Sequence, residues 1–74
     1  MNALVEQVLQ LEARMKTIAA ARDRLGPGRQ ADALEAQRQK LEDRRRALLD
    51  QATDRELIAL EYGREYERPA VQVP

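Results

Sequence analysis

The stretch Leu25-Gly26-Pro27-Gly28-Arg29 divides the 74-residue chain into two helical halves. Gly26 suits the left-handed position that follows many helix ends, and Pro27 cannot continue the hydrogen-bond ladder of a helix. A connection this short brings two helices side by side in opposite directions. The sequence therefore predicts an all-α fold, an antiparallel helical hairpin with its turn at residues 26–28.

The segment before the turn carries apolar residues at heptad spacing, which predicts a helix over about residues 3–25. Asn2 is a suitable N-cap for this helix. Val5 and Leu9 widen the apolar stripe at its beginning, and Glu12 and Lys16 have the spacing of an intrahelical ion pair. The regular heptad positions are Leu4, Val8, Leu11, Met15, Ile18 and Leu25, with Arg22 interrupting them.

The segment after the turn predicts a second helix from about residue 30, marked by leucines seven residues apart. Two interpretations of its later part remain open. Thr53 and Glu56 match a capping box, which would begin a third helix there. No Gly or Pro interrupts the chain at this point, so the favoured interpretation is one long helix to about residue 62, with Gly63 near its end. The stripe of this helix is Leu34, Leu41, Leu48 and Ala52.

A hairpin folded at Pro27 leaves the later residues uncovered, because the first helix reaches only to residues 52–54. Residues 1–66 would form the hairpin domain and residues 67–74 an extended or disordered tail, whose valines could instead add a strand to a partner's sheet. The uncovered apolar residues either pack inside an oligomer or bind an outside partner. These candidate partner-binding residues are Leu57, Ile58, Leu60, Tyr62, Tyr66, Val71 and Val73.

Two helices with one apolar stripe each cannot enclose a core, so we expect a homodimer in which hairpins pair into a four-helix bundle or coiled coil. Arginines at positions 22, 38 and 45 would set the register, with their stems packed and their charged ends reaching glutamates or water. The predicted oligomer seam is Leu4, Val8, Leu11, Met15, Ile18, Leu25, Leu34, Leu41, Leu48 and Ala52.

The composition predicts a protein that is not an enzyme and that holds no cofactor or metal. The chain contains no His, Cys or Ser, and its hydroxyls outside the tyrosines are Thr17 and Thr53. The usual general base, thiol nucleophile and commonest metal ligand are therefore missing. The acidic residues have the pattern of solvated helix faces, so we assign no catalytic residue.

A basic belt on the second helix raises nucleic-acid binding as an alternative. Interleaved acidic residues and a chain charge of zero, from 13 basic and 13 acidic residues, reduce the attraction of this belt to phosphate. The belt also lacks an aromatic platform on which bases could stack. Nucleic acid is therefore a possible but not the favoured partner. The belt consists of Arg38, Lys40, Arg44, Arg45 and Arg46.

The favoured hypothesis is a small non-catalytic adaptor, assembly or accessory protein that acts through helix–helix contacts. No apolar run approaches the length of a membrane span, and the N-terminal segment lacks the basic region of a secretory signal, so we expect a cytoplasmic protein without a membrane partner. The alternatives are a nucleic-acid-binding regulator, or an inhibitor or co-chaperone of the secretion, phage or plasmid type that binds through residues 53–66.

Overall fold

The computed structural model describes the backbone of residues 2–66 and the side chains of residues 2–64, and this part of the chain is all-helical. It contains three helices: α1 (Ala3–Leu25), α2 (Arg29–Gln51) and α3 (Asp54–Tyr66). The predicted all-α class is confirmed, whereas the predicted number of two helices is wrong. The expected tail at residues 67–74, with Val71 and Val73, lies outside the described residues.

The bounds of α1 agree with the sequence prediction, and both ends have local causes. The Oδ1 atom of Asn2 accepts hydrogen bonds from the backbone N–H groups of Leu4 (2.7 Å) and Val5 (3.3 Å), which makes Asn2 the N-cap. Gly26 has a φ of 75°, and its N–H donates to the carbonyl of Arg22 at 3.1 Å. The positive φ explains why a glycine stands at this helix end.

Helices α1 and α2 lie side by side and run in opposite directions. Arg22 near the end of α1 pairs with Glu35 near the beginning of α2. Glu12 in the middle of α1 pairs with Arg45 near the end of α2. The connection that allows this arrangement is confined to residues 26–28.

The predicted long second helix is broken after Gln51. Ala52 has an extended backbone (φ −71°, ψ 141°), and its N–H donates to the carbonyl of Leu49. Beyond it the capping box forms in both directions. The N–H of Glu56 donates to Oγ1 of Thr53 at 3.2 Å, and the N–H of Thr53 donates to Oε1 of Glu56 at 2.9 Å. These bonds satisfy two donors at the helix end, so α3 can begin without Gly or Pro.

Helix α3 folds back onto the first half of α1, which corrects the expectation that nothing covers Leu60. Leu60 is only 2% exposed and forms the core cluster with Val5, Val8 and Leu9. Leu48 and Leu49 of α2 and Leu4 of α1 pack against this cluster. A single long second helix would leave Leu60 uncovered, because it would extend past the beginning of α1; the break after Gln51 lets α3 turn back instead.

Nine of the ten predicted seam residues are buried or half-buried within one copy of the chain. Val8 and Leu11 are buried, whereas Leu25 is 50% exposed. The pairing of hairpins into a dimeric bundle stays a prediction. The remaining seam positions are half-buried: Leu4, Met15, Ile18, Leu34, Leu41, Leu48 and Ala52.

The described part of the molecule is flat, with dimensions of 41 × 37 × 14 Å. Its radius of gyration is 14.5 Å, whereas a compact domain of this length would have about 11 Å. A flat arrangement of helices exposes more surface than a globular one, so the small core at the α1–α3 contact has a large share in the stability of the fold.

Replacing Leu60 with Ala should lower the free energy of unfolding by about 2–3 kcal/mol, because the change leaves a cavity against Val5 and Leu9. The matched control is Ile58→Ala two residues earlier, where the side chain is 58% exposed and the loss should stay below about 0.5 kcal/mol. Urea unfolding followed by circular dichroism measures both. Equal losses would contradict the docking of α3.

Candidate interaction surface

The outer face of α3 carries Ile58 and Tyr62, the two most exposed large apolar side chains of the described residues. Their exposed fractions are 58% and 61%. Each lies two residues from Leu60, and at 100° per residue this places both about 160° away from it around the helix. Leu60 points into the core, so Ile58 and Tyr62 point away from α1.

Leu57 does not belong to this outer face, although the sequence pattern groups it with Ile58 and Tyr62. It lies about 60° from Leu60 around the helix and about 100° from Ile58. Its exposed fraction is 43%, which fits a position on the flank of α3 beside the core. Of the other candidates, Leu60 is buried, and the side chain of Tyr66 lies outside the described residues.

Glu12 connects all three helices. Its carboxylate accepts two hydrogen bonds from Arg64 of α3, at 3.1 Å from Nε and 2.6 Å from Nη2. It also accepts one from Nε of Arg45 of α2 at 3.2 Å. A bidentate arginine–carboxylate pair fixes direction as well as distance, so this contact sets the rotation of α3 on α1. Arg64 also reaches Glu61 one turn earlier on its own helix, at 3.6 Å.

The protonation of Glu12 follows from this environment. Partial burial raises the pKa of its carboxyl, but the hydrogen bonds and charges of Arg64 and Arg45 outweigh the burial and hold the pKa below its ordinary value. The partner group responds in the opposite direction: the hydrogen bond to Glu12 raises the pKa of Arg64. The contact therefore holds an ionised carboxylate between two charged arginines.

A second polar contact fixes the beginning of α3. Nδ2 of Asn2 donates to Oε2 of Glu56 at 2.7 Å, so one side chain caps α1 and also contacts α3. The backbone N–H of Thr53 and then this bond from Asn2 lower the pKa of Glu56. The Asn2–Glu56 and Glu12–Arg64 contacts lie on either side of Leu60, and they show that α3 runs in the same direction as α1.

The basic belt is largely paired with glutamates. Arg38 donates two bonds to Glu35, from Nε at 3.0 Å and from Nη2 at 2.7 Å, and these bonds lower the pKa of Glu35. Arg45 contacts Glu12 and Glu42, and Arg46 lies 3.6 Å from Glu42. Lys40 and Arg44 are exposed on the surface of α2.

The arginines predicted to set the register have their charged ends on glutamates. Arg22 and Arg45 link α1 to α2, whereas Arg38 pairs with Glu35 within α2. All three side chains are partly buried, which is the arrangement expected of long stems packed along an apolar interface.

Outside tyrosine, the hydroxyl groups of the chain are those of Thr17 and Thr53, and no His, Cys or Ser accompanies them. The groove between α1 and α2 on the side away from α3 has Leu11 and Leu41 among its lining residues, and the others are Gln7, Gln10, Arg14 and Arg44. The hydroxyl of Thr17 donates to the carbonyl of Ala13 at 3.2 Å, and that of Thr53 caps α3. Among the described residues, no cluster of three acidic side chains is placed to hold a metal ion.

A membrane-spanning helix is likewise not found among the described residues, since none of the three helices combines sufficient length with sufficient apolar character.

Two features of the sequence, which the sequence prediction assigns to other roles, are explained by the packing of α3 on α1. Val5 and Leu9 lie off the heptad positions that face α2, and they form the surface on which Leu60 packs. The spacing of Glu12 predicted a pair with Lys16, whereas its carboxylate is used between helices. A widened apolar stripe at one end of a helix is the signal that a third helix covers it.

Comparison with known proteins gives no relative from which a function could be transferred. The scan against protein-family models, the search of curated proteins and the search of solved structures each found no match to the chain.

Replacing Glu12 with Gln should destabilise the protein by about 1–2 kcal/mol at neutral pH, because the ion pairs with two arginines are lost and one acceptor oxygen is replaced by an amide nitrogen that cannot accept a hydrogen bond. Asp43→Asn on the exposed side of α2 is the control and should change the free energy of unfolding by less than about 0.5 kcal/mol. Chemical denaturation at pH 7 compares the two.

The pH dependence of stability gives a second readout of Glu12. Its folded pKa lies below the unfolded one, so its stabilisation is present above about pH 4.3 and is lost as the pH falls through the folded value. The decrease in the free energy of unfolding below about pH 4.3 should be smaller in Glu12→Gln than in the wild type. Identical slopes in the two proteins would show that Glu12 is not held ionised by its arginines.

Proposed function

We propose that the protein is a small non-catalytic adaptor or assembly factor that binds another helix through the outer face of α3. The observation that carries the proposal is the exposure of Ile58 and Tyr62 on a helix whose opposite face is already buried through Leu60. A helix with apolar residues on two opposite faces is typical of one that packs between two neighbours.

The composition of the outer face supports a protein partner. Tyrosine combines a large apolar area with a polar group and is enriched at interfaces. Arg55, Ile58 and Tyr62 are separated by three and four residues, the spacing with which one helix meets another. Because Leu60 closes the core from the inner side, the outer face is not needed to complete the fold of one copy.

The partner helix is supplied either by a second copy, as in the predicted homodimer, or by another protein. In both cases the contact is the laying of one amphipathic helix against another. We expect this adaptor to work in the cytoplasm. The alternative, an inhibitor or co-chaperone of a secretion, phage or plasmid system, would bind its partner through the same residues 53–66.

The contacts of the basic belt favour this proposal over nucleic-acid binding. Arg38, Arg45 and Arg46 share their charge with glutamates at short range, which reduces the attraction to phosphate that non-specific nucleic-acid binding requires. A regulator that binds nucleic acid would then depend on Lys40 and Arg44, and these two residues provide the control for the experiment.

The test compares two double variants of the full chain. Ile58→Ser with Tyr62→Ser removes the outer face at little cost to the helix, since the helix propensity of Ser is close to those of Ile and Tyr. Lys40→Ser with Arg44→Ser removes the exposed charges of the belt. Affinity capture from the native host and light scattering of the purified protein measure partner binding and self-association.

We expect the outer-face variant to lose at least tenfold in affinity for its partner helix, as the removal of two central apolar side chains usually causes. The belt variant should bind like the wild type. Loss of binding in the belt variant alone, together with recovery of nucleic acid, would contradict the proposal and support the alternative.

A further inference from the structure

We propose that two copies of the chain exchange α3: α2 and α3 join into one continuous helix, and the α3 of each copy packs on α1 of the other. The proposal rests on the hinge at residues 52–53 and on the contacts of α3, and it does not depend on the outer face. Exchange of an identical element is a low-cost route to a dimer, because the contacts are the same within and between copies.

The hinge between α2 and α3 is only two residues long. Ala52 and Thr53 are the two residues between α2 and α3. Ala52 already has a helical φ of −71°, so only its ψ of 141° must rotate, to about −42°. Alanine has the highest helix propensity of all residues, and neither Gly nor Pro stands at the hinge.

The contacts that hold α3 in place do not require α2 of the same copy. Glu56 contacts Asn2 at the start of α1, Leu60 packs on Val5, Val8 and Leu9, and Arg64 pairs with Glu12. Leu48 and Leu49 of α2 pack against the same cluster, and in the exchanged dimer the α1–α2 pair of the other copy supplies all of these partners. Exchange therefore preserves this set in full. The bonds that exchange removes are those of the capping box between Thr53 and Glu56, and regular backbone bonds through the hinge replace them.

A continuous helix cannot keep α3 on its own α1. Ion pairs place the end of α2 beside the beginning of α1, so a straight extension of 13 residues projects about 20 Å beyond that end. Val5, Val8 and Leu9 would then be exposed in each copy. A second copy that projects its own α3 covers them, and the reciprocal exchange leaves neither copy open.

Two substitutions at or beside the hinge shift the equilibrium between the monomer and the exchanged dimer in opposite directions. Thr53→Ala removes the side chain that caps α3 and favours the continuous helix. Losing such a cap lowers helix stability about fivefold, so with two hinges the dimer dissociation constant should fall by roughly 25-fold. Asp54→Pro places proline at the first residue of α3, where it is well tolerated, but proline inside a continuous helix breaks it. This variant should remain monomeric.

Ala52→Gly provides a second restricting variant if Asp54→Pro does not fold. Glycine accepts the extended backbone of residue 52 but weakens a continuous helix about fivefold relative to alanine. It should therefore raise the dimer dissociation constant. Circular dichroism checks that each variant retains the helix content of the wild type, and sedimentation equilibrium from micromolar to millimolar protein measures the constants.

The exchange would be overturned if Asp54→Pro or Ala52→Gly dimerised as strongly as the wild type. A monomer at all concentrations for both the wild type and Thr53→Ala would also overturn it. Ile58→Ser with Tyr62→Ser separates this inference from the proposed function, because the exchanged dimer does not use the outer face. If that variant alone abolished the dimer, the dimer would form through the outer face and the exchange would be wrong.

Discussion

The packing of Leu60 of α3 against Val5, Val8 and Leu9 of α1 is the contact on which the rest of the structure depends. The chain has no Phe or Trp, and the largest fully buried side chains among the described residues are valines, so few apolar contacts hold the helices together. This contact encloses the end of the α1–α2 pair at which the apolar stripe of α1 is widest. It also determines which side of α3 is left outside.

Polar contacts decide how α3 lies on this core. An apolar contact between two helices is tolerant of rotation, whereas the bidentate pair of Arg64 with Glu12 is directional. Asn2 adds a second fixed point through Glu56. With both points held, Ile58 and Tyr62 are directed away from the core, and this exposure supports the proposed helix-binding function.

The sequence was informative where local chemistry decides the structure. Asn2 and Gly26 identified both ends of α1, because capping bonds and a positive φ depend on neighbouring residues alone. The break after Gln51 could not be decided in the same way. The capping box of Thr53 and Glu56 permits a new helix, and the absence of Gly and Pro permits a continuous one. Contacts with α1, about 50 residues away in the chain, favour the first.

The sequence predicts the candidate surface only in part, because the cover of Leu60 also depends on contacts with residues distant in the chain. Ile58 and Tyr62 were identified as uncovered, and they are exposed. Leu60 was assigned to the same group because the long-helix interpretation placed the whole segment beyond α1. The roles of Val5 and Leu9 follow once a third helix is considered, since their positions lie off the heptad that faces α2 and Leu60 packs on them.

The most direct test of the account is a nuclear Overhauser measurement between α1 and α3. A Cβ atom built on Gly63 would lie 2.8 Å from Cδ1 of Leu9, so the α-protons of Gly63 lie close to a methyl group of Leu9. We predict a strong cross-peak between these protons in dilute protein, with non-helical Cα shifts at Ala52. The absence of this cross-peak, together with helical shifts through residues 52 and 53, would contradict the docking of α3 on α1.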